Sequence, residues 1–275
     1  MQADLSNEAD YNLQRRHPER TEIYAGYARR SEALRQARPW QALRYAPEER
    51  CTIDFFPAPD ARGAPLLVFI HGGFWRGGDK RMFSFIAEHF LAAGISTALL
   101  GYTLAPAVTV AQISAQIRAA VACLTRLQPE LGFDIGRVTL SGHSAGAHLA
   151  AMASSCAEVS RPAWRVLAVS GVYDLRPVLA TSLRAEIGLT QADAEAQSLP
   201  GARQLLARDY LVAVGGAETP AFISQSEDFH RALTAAGRPA ALFIDPGRTH
   251  FDIFESLSQP GQALHDRAIA LIQAP

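Results

Sequence analysis

The chain has 275 residues, 26 of them lysine or arginine and 27 aspartate or glutamate, and 48% of its residues are hydrophobic. This length and apolar content suit one large domain, or two small ones, with a full core. The net charge of −1 indicates neither a nucleic-acid-binding surface nor a cationic face for a membrane.

The N-terminal region is polar, without the apolar stretch of a signal peptide. No apolar run reaches the roughly 18 residues that a membrane span needs, so we expect a cytoplasmic protein. Residues 7–38 are rich in Arg, Glu, Ala and Tyr, which predicts an N-terminal helical segment at 1–39 before the main domain at 40–275.

From about residue 65 onward, strand and helix patterns alternate. The predicted strands cover 51–56, 65–71, 95–102, 137–143, 164–171, 210–216 and 240–245. The predicted helices cover 80–94, 110–127, 144–155, 222–237 and 261–273. This alternation predicts an α/β fold, with a mostly parallel central sheet and helices on both faces.

Residues 174–209 interrupt the alternation between two predicted strands. The stretch is polar and helical in pattern, and we interpret it as a small helical cap insertion. Loops at the carboxyl edge of a parallel sheet surround the site in such folds, so the cap would set substrate size. The alternative is a surface insertion remote from the site. The apolar residues that would face the pocket are Leu175, Val178, Leu179 and Leu183.

The sequence GHSAG, 142–146, fits the pattern G-x-S-x-G and lies between a predicted strand and a predicted helix. In that context the glycines allow a sharp turn that exposes the Ser144 hydroxyl, and the helix N-terminus adds free N–H groups. Ser144 is therefore the candidate nucleophile. The alternative is an ordinary strand-to-helix turn capped by a serine.

A glycine-rich stretch, FIHGGFWRGGDK at 69–80, supplies what such a nucleophile needs. Acyl transfer forms an oxyanion that preorganised N–H groups stabilise, and glycine lets backbone approach a ligand closely. We predict the N–H groups of Gly73, Phe74 and Ala145 as oxyanion-hole donors. Phe74 and Trp75 would wall the pocket, with core packing as the alternative.

Hydrolases with this turn carry nucleophile, acid and histidine in that chain order. His250 follows the last predicted strand, whereas the other histidines lie in the N-terminal segment, in helix patterns, on the glycine-rich loop or beside the nucleophile. Glu218 is the first carboxylate after the strand at 210–216. Asp174, after the preceding strand, is the alternative acid. The alternative role for Glu218 is a charge at a helix N-terminus.

Aromatic and basic residues near these motifs are candidates for substrate binding. Tyr102 and Tyr173 follow predicted strands and would add aromatic walls to the pocket, or belong to the core. Arg76 or Arg248 would pair with a substrate carboxylate, although lone arginines are usually solvated.

Five further stretches are specific enough to compare with known proteins: HGGFW (71–75), GHSAGAH (142–148), SGVYDLRPV (170–178), TPAFISQS (219–226) and GRTHFD (247–252). With them the chain resembles the α/β-hydrolase fold and, within it, the kynurenine formamidase (arylformamidase) group and its esterase neighbours. The resemblance covers about 40–275 and implies a Ser–acid–His triad that hydrolyses a formamide or ester without a cofactor. The chain departs from the group at Glu218, where aspartate is typical, and at Arg76, where glutamine is typical.

These features predict a serine hydrolase that cleaves a small aromatic formamide, similar to N-formylkynurenine, or an ester through Ser144, Glu218 and His250. The alternatives are a broad carboxylesterase, a non-catalytic hydrolase-fold binding protein and an acyl transferase. We expect a small-molecule substrate, no cofactor or metal, and no nucleic-acid or membrane partner; a homodimer stays open. Three cysteines without metal-ligand spacing are expected to be free thiols: Cys51, Cys123 and Cys156.

Overall fold

The computed structural model describes residues 4–199 and 205–274. These residues form eight strands and ten α-helices. The strands are β1 Gln41–Arg44, β2 Thr52–Phe56, β3 Leu66–Ile70, β4 Ser96–Leu100, β5 Val138–His143, β6 Arg165–Val169, β7 Asp209–Gly215 and β8 Ala240–Asp245. The helices are α1 Glu8–Tyr11, α2 Arg20–Ala37, α3 Ala87–Ala92, α4 Val110–Leu131, α5 Ala145–Ser154, α6 Leu183–Ile187, α7 Gln191–Ala196, α8 Pro220–Ala235, α9 Ile253–Ser258 and α10 Ala263–Gln273.

The strands form one sheet in the order β1-β2-β4-β3-β5-β6-β7-β8. β2 pairs antiparallel with β1 and with β4, and the other neighbouring pairs among the described strands are parallel. The predicted mostly parallel sheet is therefore confirmed. Because parallel strands end at the same edge, the loops after β3, β5, β6, β7 and β8 meet there.

Central strand β3 is apolar along its whole length because both of its faces are buried. Side chains alternate across a strand, so Leu66, Val68 and Ile70 join one core cluster while Leu67 and Phe69 join the other. All five are at most 1% exposed. A strand in this position needs no polar residues on either face.

The predicted helix at 80–94 is a 310 helix over Lys80–Ile86 followed by α3. Ser31 of α2 accounts for the difference. Its hydroxyl donates to the carbonyl of Met82 at 2.7 Å and accepts from the N–H of Phe85 at 3.1 Å. These backbone groups therefore bind a neighbouring helix instead of completing an α-helical ladder.

The N-terminal segment is attached to the sheet by a buried charge cluster. Asp54 of β2 is 1% exposed and lies 2.6 Å from Arg35 Nη1 on one oxygen and 2.6 Å from Lys80 Nζ on the other. Tyr27 also donates its hydroxyl to the carbonyl of Phe251 at 3.0 Å. Helix α2 is thus fixed close to the loops at the carboxyl edge of the sheet.

The insertion at 174–209 packs into the core. Leu175, Val178 and Leu183 are 0% exposed and belong to the same core cluster as β3. The Asn7 N–H donates to a carbonyl of the insertion, Ala180 O, at 3.1 Å. Residues 200–204 of the insertion lie outside the described residues.

Two kinds of feature are absent from the described residues. None of their helices has both the length and the apolar character needed to cross a membrane. No group of three or more His, Cys, Asp or Glu side chains in the same residues is arranged to hold a metal ion.

The cysteines are free thiols, two buried and one half-buried: Cys51, Cys123 and Cys156.

Candidate active site

Ser144 lies on a sharp turn between β5 and α5. Its backbone has φ 56° and ψ −121°, an unusual conformation for a residue with a side chain. Ser144 N donates to the carbonyl of Val169 in β6 at 2.9 Å, which helps to fix the turn. The side chain is nearly buried but lines a cavity.

The two glycines of GHSAG are required by close backbone packing. A Cβ at Gly142 would overlap the backbone of Gly146, and a Cβ at Gly146 would overlap the carbonyl of Ile70 in β3. Gly72 is also closely packed, since its Cβ would lie 2.8 Å from the carbonyl of His143 and 3.0 Å from Ser144 Cβ. The glycine-rich loop therefore lies directly against the serine turn.

Three backbone N–H groups near Ser144 are available to bind an oxyanion. Those of Gly73, Phe74 and Ala145 donate to no acceptor within the described part of the chain. Gly73 and Phe74 have φ of 114° and 48°, and both line the same cavity as Ser144. The structure thus brings the predicted donors and the predicted nucleophile to one region.

The glycine-rich loop is held from behind by a buried aromatic pair. The Tyr102 ring stacks on the His71 ring with 4.4 Å between centroids, and its hydroxyl donates to the carbonyl of His71 at 2.9 Å. Burial lowers the pKa of His71 to about 4, so this imidazole is neutral at pH 7. Ala105 N also donates to the carbonyl of Trp75 at 2.8 Å.

His250, on the loop after β8, is hydrogen-bonded to Glu218, on the loop after β7. His250 Nδ1 lies 2.7 Å from Glu218 Oε2. The other oxygen, Glu218 Oε1, accepts from Ser170 Oγ at 2.5 Å and from Gly215 N at 2.8 Å. Three donors therefore fix the orientation of this carboxylate.

Asp174, the alternative acid, lies in a different environment. Its carboxylate accepts two hydrogen bonds from the Arg176 side chain, at 2.8 and 2.6 Å, and one from Ser198 Oγ at 3.2 Å. None of its described contacts involves His250. The geometry therefore favours Glu218 as the partner of His250.

His143 contacts His250, which the sequence did not predict. Its Nε2 lies 2.9 Å from the carbonyl oxygen of His250, and the two rings are 4.4 Å apart. Burial, together with the nearby His250, lowers the pKa of His143 well below its usual value. Neutral His143 thus donates to the His250 backbone and supports the loop that carries that residue.

A cavity of about 240 Å³ adjoins these residues. Ser144 and His250 both line it, although no hydrogen bond joins Ser144 Oγ to His250 Nε2 in the described residues. Catalytic hydrogen bonds commonly tighten only when substrate binds. A larger cavity of about 400 Å³ includes Tyr173 and Asp174 but neither Ser144 nor His250.

The substrate-binding candidates divide into two groups. Phe74 and Arg76 line the cavity. The other three do not line it and are at most 2% exposed, because each packs into the core: Trp75, Tyr102 and Tyr173. This placement corrects the expectation of an aromatic pocket formed by all four aromatics.

The N-terminal segment, and not the insertion, lines the cavity in the described part of the chain. Sequence reasoning missed this contribution because no local pattern marks a segment that folds back over a distant loop. The expectation for the insertion is corrected, since its apolar residues pack in the core. The N-terminal residues along the cavity are Asn12, Leu13, Gln14, Arg20 and Tyr24.

Several known proteins are similar to this chain. A family model described as BD-FAE matches residues 53–171. Kynurenine formamidase of Danio rerio is 32% identical over 213 residues, covering 74% of this chain and 71% of the relative. Isoprenylcysteine alpha-carbonyl methylesterase of Arabidopsis thaliana is 25% identical over 264 residues, covering 85% of this chain and 62% of the relative.

One solved structure is similar to this chain over nearly its whole length. The crystal structure of a "putative thioesterase" from Silicibacter sp. superimposes with a TM-score of 0.83 and 29% sequence identity. The match covers 98% of this chain and 100% of that one. The two chains are therefore of similar extent.

Proposed function

The chain belongs to the kynurenine formamidase family of α/β-hydrolases, and we propose that it cleaves a small aromatic formamide or ester by a Ser144–His250–Glu218 triad. The relatives include a formamidase and a methylesterase, and the chain is a hydrolase of the formamide or ester type. The aromatic substrate, the triad and the oxyanion hole are the proposed part.

One observation carries the proposal. Ser144 and His250 line the same cavity, and Glu218 binds His250 Nδ1 at 2.7 Å. A carboxylate on Nδ1 fixes the tautomer that leaves Nε2 free to accept a proton from a serine hydroxyl. This arrangement supports nucleophilic catalysis more directly than the fold does, because one fold hosts many functions.

The proposed reaction has two stages. His250 Nε2 takes the Ser144 proton while Oγ attacks the carbonyl carbon, and the N–H groups of Gly73, Phe74 and Ala145 stabilise the oxyanion. The intermediate collapses as His250 donates its proton to the leaving amine or alkoxide. A water molecule, deprotonated by His250, then hydrolyses the acyl-serine and releases formate or another acid.

The cavity walls support an aromatic substrate. Phe74, Phe83, Tyr24 and Phe251 line the cavity beside Ser144. Aromatic side chains around a few polar groups are typical of sites for small aromatic ligands. The cavity volume of about 240 Å³ suits a substrate with one ring.

A substrate panel with an active-site label tests the proposal. We expect hydrolysis of N-formylkynurenine or formanilide, and labelling of Ser144 by a fluorophosphonate, located by peptide mass spectrometry. Hydrolysis of p-nitrophenyl acetate without any formamide activity would favour the broad carboxylesterase. Absence of both hydrolysis and labelling would favour a non-catalytic binding protein.

A further inference from the structure

The cavity beside Ser144 carries positive charge without any acidic residue. Arg20 and Arg76 line it, and none of its described lining residues is aspartate or glutamate. A neutral aryl formamide has no anionic group that would pair with a guanidinium. The charge therefore points to an anionic group on the ligand.

Arg76 is already partly neutralised by the insertion. Its Nη1 lies 2.9 Å from Glu186 Oε2 of α6. Arg248, the other sequence candidate for a substrate carboxylate, bonds to Gln262 Oε1 at 3.2 Å and does not line the cavity. Neither residue offers an unpaired guanidinium to a ligand in this cavity.

Arg20, the first residue of α2, differs from both. The one hydrogen bond that its side chain makes in the described residues is a long one, from Nε to the carbonyl of Gln14 at 3.4 Å, and no described carboxylate lies within ion-pair distance. Its charge offsets part of the effect by which burial raises the pKa of neighbouring Tyr24 to about 12. Arg20 and Tyr24 line the same cavity as Ser144.

We propose that Arg20 binds a carboxylate of the substrate, so that the substrate is an aryl formamide or ester that carries a carboxylate group. The inference rests on the proposed function and narrows its substrate class. A planar guanidinium binds a carboxylate through two parallel hydrogen bonds.

Two substrates with one carbon skeleton test the charge preference. They are 4-(2-formamidophenyl)-4-oxobutanoate and its neutral primary amide. We expect kcat/KM for the acid to exceed that for the amide by about tenfold or more, as charge-assisted hydrogen bonds commonly give. An acid-to-amide ratio near one would overturn the proposal.

Substitution then tests the residue. Arg20→Gln should lower the acid-to-amide ratio of kcat/KM by about tenfold or more, and Arg20→Lys should restore part of it. Arg29→Gln is the matched control, because it removes the same charge from an exposed position of the same helix and should leave the ratio unchanged. Equal ratios in Arg20→Gln and the unmodified protein would exclude the role of Arg20.

Calorimetry separates this inference from the proposed function. If no formamide or ester is hydrolysed, the proposed function fails. Tighter binding of 2-aminobenzoate than of 2-aminobenzamide, lost in Arg20→Gln and kept in Arg29→Gln, would still support an anion site at Arg20. Equal binding of the two compounds would contradict it.

Discussion

Ser144 is held in a conformation that serine does not favour. A non-glycine residue in this region of φ costs on the order of 1–3 kcal/mol, and such strain tends to occur at functional sites. Here the backbone is fixed by the packing of Gly142 against Gly146 and by the Ser144 N–H bond to Val169. The turn presents the hydroxyl to the cavity instead of using it as a helix cap, and no side-chain capping bond is present.

Ser144→Ala should remove nearly all turnover. Alanine keeps the backbone but has no nucleophile, so kcat should fall on the order of 10³-fold or more, leaving catalysis by the oxyanion hole. Steady-state kinetics on the best substrate of the panel measures this. Ser141→Ala is the control, because that buried hydroxyl has no hydrogen-bond partner among the described residues. A Ser144→Ala protein with a tenth of the original activity would rule out this nucleophile.

Glu218→Gln should keep the fold but lower kcat on the order of 10²- to 10⁴-fold. The amide of glutamine cannot hold the same histidine tautomer or stabilise the imidazolium. Asp174→Asn should have a small effect, since Asp174 binds Arg176 and Ser198. The comparison of kcat in the two variants is the measurement. The reverse order of effects would move the acid to the loop after β6.

At the level of elements, either the insertion or the N-terminal segment could determine the size of the substrate. The insertion contacts the glycine-rich loop through the Arg76–Glu186 ion pair, but its described apolar residues are in the core. The N-terminal segment supplies cavity walls directly, including Leu13 in the 310 helix before α2. We therefore expect the N-terminal segment to determine which acyl and aryl groups enter.

Leu13→Ala should enlarge the cavity and lower KM for bulky aryl substrates relative to small acetyl substrates. Leu183→Ala is the matched control, because this leucine of α6 is fully buried away from the cavity. Each change should destabilise the protein by about 2–5 kcal/mol. The ratio of KM values for aryl and acetyl esters is the readout. A ratio that moves in Leu183→Ala but not in Leu13→Ala would restore the insertion as the size filter.

For the whole molecule, buried histidines link stability to pH. Burial lowers the pKa of both His71 and His148 to about 4. The unfolded chain, with histidine pKa values near 6.5, therefore binds more protons than the folded protein below that pH. The stability that these residues contribute is complete above about pH 6.5 and is lost as pH falls towards 4.

Unfolding free energy should accordingly fall by about 3 kcal/mol per buried histidine between pH 6.5 and 4. Urea denaturation at several pH values in this range measures how the unfolding free energy depends on pH. His148→Gln should reduce this dependence, because glutamine does not titrate and can still donate to the carbonyl of Gln197, which His148 contacts at 2.7 Å. If the unfolding free energy depends on pH equally in the variant, or does not depend on pH in the unmodified protein, the role given to the buried histidines is wrong.

The sequence by itself determined the order of strands β2 to β8 and the positions of the chemical motifs, whereas β1 and α9 lie outside the strands and helices that it predicted. A five-residue apolar run such as Leu66–Ile70 predicts a strand that is buried on both faces, because neither face carries a polar residue. GHSAG encodes part of its turn locally, since Gly142 packs against Gly146, whereas Gly146 itself packs against the carbonyl of Ile70 in β3. The pairing of Glu218 with His250 was predictable because parallel strands bring their following loops to one edge.

Only the tertiary structure decided which side chains surround the site. Phe74 and Trp75 are neighbours with similar positive φ, yet Phe74 lines the cavity and Trp75 is in the core. The bond of Tyr27 to Phe251 joins residues 224 positions apart and helps to fix α2 near the site. Periodicity shows that a residue is buried but not what it packs against. The cavity wall around Arg20 therefore had no signal in the sequence.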